Sequence, residues 1–359
     1  MDRKAGYAGS HLVLLHDEAD LYATLGQFHH HGAHRVIPVP FIHGFLCLSD
    51  EVGVQALGLH PAVASVEEDR KVKLVSYERS NQVQPEGVQW LRAPAAWAYS
   101  RGSGVGVAVL DTGIDLAHPD LSANIAGGIN FVSPGRPPQD DHGHGTHVAG
   151  TIGALDNRVG VVGVAPNCKL YAVKVLDATG GGMLSNVILG LQWAVTHQLP
   201  LANLSVGTTE ESEALARAVR GAAATGMTLV AAAGNTGEPG SVLYPARYPE
   251  VIAVSAVGGD GKTASFSSVG PEVDLAAPGV AVLSTLPRRR YGRFSGTSMA
   301  APHVTGSAAL YLALHPGQDP RIVKRALLES AVPLAGLTPE EQGAGRVDAL
   351  NMVLQSADE

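Results

Sequence analysis

The sequence predicts an α/β protein: a three-layer domain on a parallel sheet, preceded by a small ferredoxin-like α+β domain. Three observations predict it. From Trp90 to about Gln355, short apolar runs alternate with helical patterns, which is how a parallel sheet buried on both faces reads. Residues 1–80 carry a different order, βαββαβ, the split-βαβ pattern. The 43 glycines in 359 residues suit the many tight turns that strand–helix alternation demands.

In the first domain, residues 11–15 read as a strand. Residues 17–29 have helical periodicity, with Leu21, Leu25 and Phe28 on one face. Residues 36–48 read as two strands turning near His43-Gly44, residues 51–59 as a second helix, and residues 61–69 as the approach to a last strand. Residues 71–84 are polar and lack a period, so they read as a linker, and the boundary falls after residue 80, giving domains 1–80 and 81–359. In the second domain the clear strands are 105–110, 169–175, 227–232 and 251–257, and the clear helices 185–197, 212–225 and 298–315. Sites in such sheets lie at the carboxyl ends of strands, and Asp111 is at one.

Composition narrows the function. Hydrophobic residues make up 45% and aromatics only 5%, so the core is expected to be closely packed Ala, Val and Leu. A net charge of −8 argues against a nucleic-acid groove, which needs a concentrated basic face. Arg288-Arg289-Arg290 with Arg293 reads as a solvated loop edge. Cys47 and Cys168 fall in different domains, which argues against a structural disulfide. No apolar run approaches the ~18 residues needed to span a bilayer, and Met1-Asp2-Arg3-Lys4 leads into polar and small residues rather than an apolar leader.

Three segments carry chemistry. Val107-Ala108-Val109-Leu110-Asp111-Thr112-Gly113 runs a buried strand into an aspartate. His142-Gly143-His144-Gly145-Thr146-His147 opens an apolar helix with a histidine, and Gly296-Thr297-Ser298-Met299-Ala300-Ala301-Pro302-His303 opens another with a serine. A serine hydroxyl needs an adjacent base to act as a nucleophile, and the base needs a partner to fix its tautomer. Ser298 is thus the candidate nucleophile, His144 the general base and Asp111 the orienting carboxylate. At a helix N-terminus Ser298 meets unpaired N–H groups and the positive end of the dipole. Pro302 is expected in the first turn, where proline is tolerated. Met299 beside the nucleophile is expected to be open to peroxide. His142 and His147 lack the glutamate of a metal-binding HExxH helix, and His29-His30-His31 reads as a solvated helix end.

On these three segments, in the order Asp, His, Ser, the chain resembles the subtilisin-type serine proteases, the subtilase family. The resemblance implies a serine endopeptidase with an acyl-enzyme mechanism, made as a self-processing proenzyme with residues 1–80 as inhibitory propeptide. It implies that Asn235, in Ala231-Ala232-Ala233-Gly234-Asn235, is the side-chain oxyanion donor. It implies that an extended peptide pairs with Gly180-Gly181-Gly182 and Ser205-Val206-Gly207, with an apolar or aromatic residue before the scissile bond. Val206 and Thr208 depart from the usual Leu and Gly, and the segment after Asn235 is shorter than usual; both touch the specificity pocket. The resemblance further implies structural calcium held by Asp120, Asn157 and Gln82 with the carbonyls of Leu155, Val159 and Val161, and a weaker site at Glu272 and Asp274. Maturation is expected to cut after Tyr77 of Leu74-Val75-Ser76-Tyr77, or up to Ser80. The family pattern implies a secreted monomer acting on proteins and peptides; a cytoplasmic enzyme is the alternative.

Two other classes compete. An α/β-hydrolase esterase would show G-x-S-x-G, whereas the run here is Gly-Thr-Ser-Met-Ala, and its triad order differs. A non-catalytic homologue would have lost a triad residue, and none is lost.

Overall fold

The computed structural model describes residues 9–28, 33–70 and 82–355. The N-terminal Met1–Lys4, His29–His31 and the proposed cleavage segment from Leu74 to Ser80 lie outside the described residues. The chain divides into two compact units, Met1–Glu78 and Arg79–Glu359.

In the first unit the elements are β1 (Gly9–Leu15), α1 (Leu21–Phe28), β2 (His34–Val39), β3 (Gly44–Ser49), α2 (Glu51–Gly58) and β4 (Val63–Glu68). They form an antiparallel sheet of order β2-β3-β1-β4. Val13 and Leu15 alternate inward from β1 and meet Leu21, Phe28, Phe45 and Leu57 in one core. Helix α1 starts later than its periodicity suggests because Asp20 accepts from the amides of Tyr22 and Ala23, at 2.9 and 3.1 Å, and so caps it.

In the second unit two short helices, α3 (Glu86–Trp90) and α4 (Ala93–Ala96), lead to β5 (Gly106–Asp111) and β6 (Ile125–Asn130). Then come α5 (His144–Gly153), β7 (Lys169–Lys174), α6 (Leu184–Thr196), β8 (Leu201–Leu204), α7 (Glu213–Ala224), β9 (Thr228–Ala232), β10 (Val251–Val257) and β11 (Leu275–Pro278). A hairpin of β12 (Val282–Leu286) and β13 (Arg290–Phe294) precedes α8 (Thr297–Leu314), and α9 (Pro320–Ser330), α10 (Pro339–Gln342) and α11 (Ala349–Leu354) close the chain. The seven-stranded sheet, of order β11-β10-β9-β8-β5-β7-β6, is parallel throughout.

Both faces of the sheet are covered. On β5, Val107 and Val109 point into the core shared with α5 and α8, while Ala108 and Leu110 point into the core shared with α6 and α7. This is why β5 reads as an unbroken apolar run. The strand order reverses between β5 and β8, a topological switch point whose carboxyl side is the expected site for a ligand. Helix α8 is buried almost around its whole circumference, as expected of a helix passing through the protein core.

Pro302 corrects an expectation. Because α8 begins at Thr297, Pro302 stands in its second turn, where a missing N–H leaves the carbonyl four residues back unpaired. That carbonyl belongs to Ser298, and it accepts instead from Ser205 Oγ at 3.0 Å. Both cysteines are free, buried thiols; burial pushes Cys168 up to about 12. No helix among the described residues is long and apolar enough to cross a membrane.

Candidate active site

Asp111 ends β5 and is fully buried. Its carboxylate accepts from Thr112 N at 2.7 Å and from His144 Nδ1, 2.8 Å from Oδ1 and 3.0 Å from Oδ2. A carboxylate only accepts, so Nδ1 carries the proton and Nε2 is left as the basic nitrogen. His144 is the first residue of α5, and Gly145 lets that helix start so close to β5. A Cβ on Gly145 would lie 2.1 Å from the Gly113 carbonyl and 3.0 Å from Asp111 Oδ1.

Ser298 lies in the first turn of α8, which packs on α5. Among the described residues its hydroxyl makes no hydrogen bond to His144; it donates to the Ser205 carbonyl at 3.4 Å. Such a bond commonly tightens only when substrate arrives. The Thr297 amide donates to Asn235 Oδ1 at 2.8 Å and the Thr297 hydroxyl does so at 3.0 Å. With its oxygen turned to Thr297, Asn235 aims its Nδ2 donor away, and Asn235 and Ser298 line the same groove. Met299 is 2% exposed and belongs to the main core, so its thioether is shielded, contrary to the expectation of open access.

Gly180, Gly181 and Gly182 form one wall of this groove, and Ser205, Val206 and Gly207 the other. A Cβ on Gly182 would lie 2.5 Å from the Val175 carbonyl. Thr208 and Tyr244 exchange backbone hydrogen bonds at 2.9 Å each, which ties the second wall to the segment after Asn235. Sequence reasoning missed the deeper lining: apolar Val187 and Leu215, Tyr244, and the exposed Glu210 and Glu211. It also missed Asn203, which donates to Ser205 Oγ at 2.9 Å and accepts from Thr305 at 2.8 Å.

Burial lowers the affinity of His144 for a proton, but the charge and hydrogen bond of Asp111, with the charge of Asp140, outweigh it and leave the imidazole above its ordinary value. The neighbouring histidines go the other way. Burial pushes His147 down to about 4; its Nε2 faces the carbonyls of Val282 and Gly292 at 2.9 and 3.2 Å, and its ring stacks on Phe294. His303 is likewise pushed down to about 4 by burial.

The residues expected to hold calcium come together around the loop after α5. Gln82 Nε2 donates to the carbonyls of Leu155 (2.5 Å) and Val161 (3.1 Å) and to Asn157 Oδ1 (3.5 Å). Asp120 accepts from Asn157 Nδ2 at 3.0 Å and from the Val161 amide at 2.9 Å, and the Val159 amide donates to Asn157 Oδ1 at 3.1 Å. Three oxygens thus converge on the Gln82 side-chain NH2, and hard oxygen ligands of this kind suit calcium. The weaker site does not fit a metal. Glu272 pairs with Arg247 at 2.9 Å, and Asp274 with Lys324 at 2.8 Å. The Lys324 ammonium also donates to the carbonyls of Val251 (2.9 Å) and Pro249 (3.2 Å), so the protein's own cations take these oxygens.

The chain is similar to known proteins. A family model described as the subtilase family matches residues 102–347. Subtilisin NAT of Bacillus subtilis subsp. natto is 49% identical over 281 residues, 77% of this chain and 72% of that protein. The alkaline protease of Shouchella clausii is 47% identical over 300 residues, covering 82% and 75%. The thermostable alkaline protease of Halalkalibacterium halodurans is 43% identical over 319 residues, covering 88% and 84%.

Proposed function

The chain belongs to the subtilase family and is a serine endopeptidase, and we propose that Ser298, His144 and Asp111 carry its acyl transfer. Ser298 Oγ turns from the Ser205 carbonyl to the peptide carbonyl while His144 Nε2 takes its proton. His144 then gives that proton to the leaving amine, and water repeats the sequence on the acyl-enzyme. Asp111 holds the tautomer and balances the imidazolium. Asn235 Nδ2 and the Ser298 amide bind the oxyanion. The substrate runs extended between residues 180–182 and 205–207 by strand addition, its side chains entering the groove whose lining includes Val187, Leu215 and Tyr244. The observation that carries this reading is the 2.8 Å bond that His144 Nδ1 donates to Asp111, beside a helix whose first turn holds Ser298 in the groove of Asn235.

Residues 1–80 act as the inhibitory propeptide of an otherwise monomeric, exported enzyme. The separate core of the first unit supports this reading. Intact mass and N-terminal sequence of wild type beside Ser298→Ala, both incubated with calcium, test it. Wild type should split near residue 80 and the variant should stay whole. A new N-terminus far from residues 78–81, or cleavage of the variant without added protease, would overturn the assignment.

Calcium would be held by Asp120, Asn157, Gln82 and the carbonyls of Leu155, Val159 and Val161, and when bound it supplies a fixed positive centre for a loop rich in inward-turned oxygens. A ligand at 100 times its Kd stabilises the fold that binds it by about 2.7 kcal/mol. Chelation should therefore lower Tm in the Ser298→Ala protein, and Asp120→Ala should remove most of that difference. If Tm does not change on chelation, the cradle holds no metal.

A further inference from the structure

We propose that Asp140 is a positioning residue for the catalytic pair, a buried carboxylate that locks the end of β5 to the first turn of α5. The proposal rests on the reading of Asp111, His144 and Ser298 as the triad.

Asp140 is 5% exposed. Its Oδ1 accepts from the Thr112 hydroxyl (2.8 Å) and from the amides of His142 (3.0 Å) and Gly143 (2.8 Å). Its Oδ2 accepts from the amide and the hydroxyl of Thr146, at 2.9 and 2.5 Å. Charge-assisted bonds of this kind are roughly twice as strong as neutral ones, and a buried carboxylate so fully satisfied is rigid. The N-cap of α5 is Gly143, which has no side chain to cap with. Asp140 caps the helix from outside it, where the dipole favours an anion.

The link to catalysis runs through Thr112. Its amide donates to Asp111 Oδ1 at 2.7 Å, and its hydroxyl accepts from the Gly145 amide at 2.9 Å while donating to Asp140. One residue therefore touches the catalytic carboxylate, the residue after the catalytic histidine, and Asp140. The Thr112 carbonyl is held in turn by the buried Lys174 ammonium at 2.6 Å, which also pairs with Asp141 at 2.6 Å.

The charged and titratable groups around His144 are Asp111 from β5, Asp140 and Asp141 from the loop before α5, His142 with its ring 6.3 Å away, His147 one turn on, and Lys174 from β7. Asp111 and Asp140 are the groups among them whose charge favours the imidazolium. Removing the charge at Asp140 weakens that support. The acid limb of kcat/KM, where His144 loses its proton and becomes a base, should then move to lower pH.

The test uses the full chain, matured with calcium, with rates on a small peptide substrate normalised to titrated active sites. Asp140→Asn should lower kcat by roughly 10²-fold, the cost of small misplacement at a reacting centre, with KM little changed and the acid limb displaced downward. Asp140→Glu should return the limb to its wild-type position. Thr112→Val keeps the charge but cuts the bridge; it should lower kcat without moving the limb, and it carries the positioning claim if Asp140→Asn does not fold. Wild-type kcat in folded Asp140→Asn or in folded Thr112→Val overturns the proposal, as does a limb that stays in place in Asp140→Asn. Ser298→Ala, cut between its two units by an unrelated protease and assayed per mole of purified protein, separates the two failures: if it is active, the triad reading has failed and not this one.

Discussion

His144→Ala should lower kcat by about 10⁶-fold, the magnitude known for loss of the serine or histidine in subtilisin itself. Without the imidazole the Ser298 proton has no acceptor. The double variant His144→Ala with Ser298→Ala should cost scarcely more than either alone, because the two residues act as one unit. A kcat within tenfold of wild type would remove His144 from the mechanism. The same substitution tests the charge on the pair. The folded pKa of His144 is raised, so the pair contributes stability that is fully present below the unfolded imidazole value of about 6.5 and is lost as pH rises through the raised folded value. In a Ser298→Ala background, His144→Ala should therefore lower Tm more near pH 5 than above pH 8. An equal loss at both would mean that Asp111 does not favour the imidazolium.

Asn235→Leu should lower kcat by ~10²–10³-fold with KM nearly constant, again a magnitude established for subtilisin. An oxyanion donor acts on charge that exists only in the transition state, so its removal leaves substrate binding intact. The structure adds a control. Asn235 Oδ1 accepts from the Thr297 amide and hydroxyl, so leucine also strips Thr297 of its acceptor. Thr297→Val removes the hydroxyl, which donates to Asn235 and accepts from the Gly234 amide at 3.1 Å, but leaves the Asn235 amide in place, so it should cost less in kcat than Asn235→Leu. A parallel rise in KM for Asn235→Leu would mark a ground-state contact instead.

Much of this site could be read in the sequence because its parts are local. Each proposed catalytic residue is next to the element that presents it: Asp111 at the end of an apolar strand, His144 and Ser298 at helix starts marked by glycines. The elements that were missed carry weak local signals. β8 is four residues long, and β6 contains Gly127 and Gly128, which blur any strand pattern. Helix α9 was readable from Asp319-Pro320, a capping residue followed by proline at the first helical position. The supporting polar residues were hidden for another reason. Asn203, Thr305 and Thr112 look like ordinary strand and helix residues until the fold brings partners from distant positions. Pro302 likewise seemed harmless on the assumption that it fell in a first turn. Only the three-dimensional arrangement shows that it frees a carbonyl and that Ser205 takes it up.

The Lys324 ammonium, seated among Asp274 and two backbone carbonyls, has one more consequence. A diffusing ion leaves its site when its concentration falls, whereas a cation attached to the chain keeps the same local concentration in any buffer. At this corner the protein is therefore indifferent to dialysis and to chelators. Any response to metal removal therefore comes from elsewhere in the molecule, and a chelator titration of Asp120→Ala beside its parent asks whether the proposed Gln82–Asp120 cradle is its source.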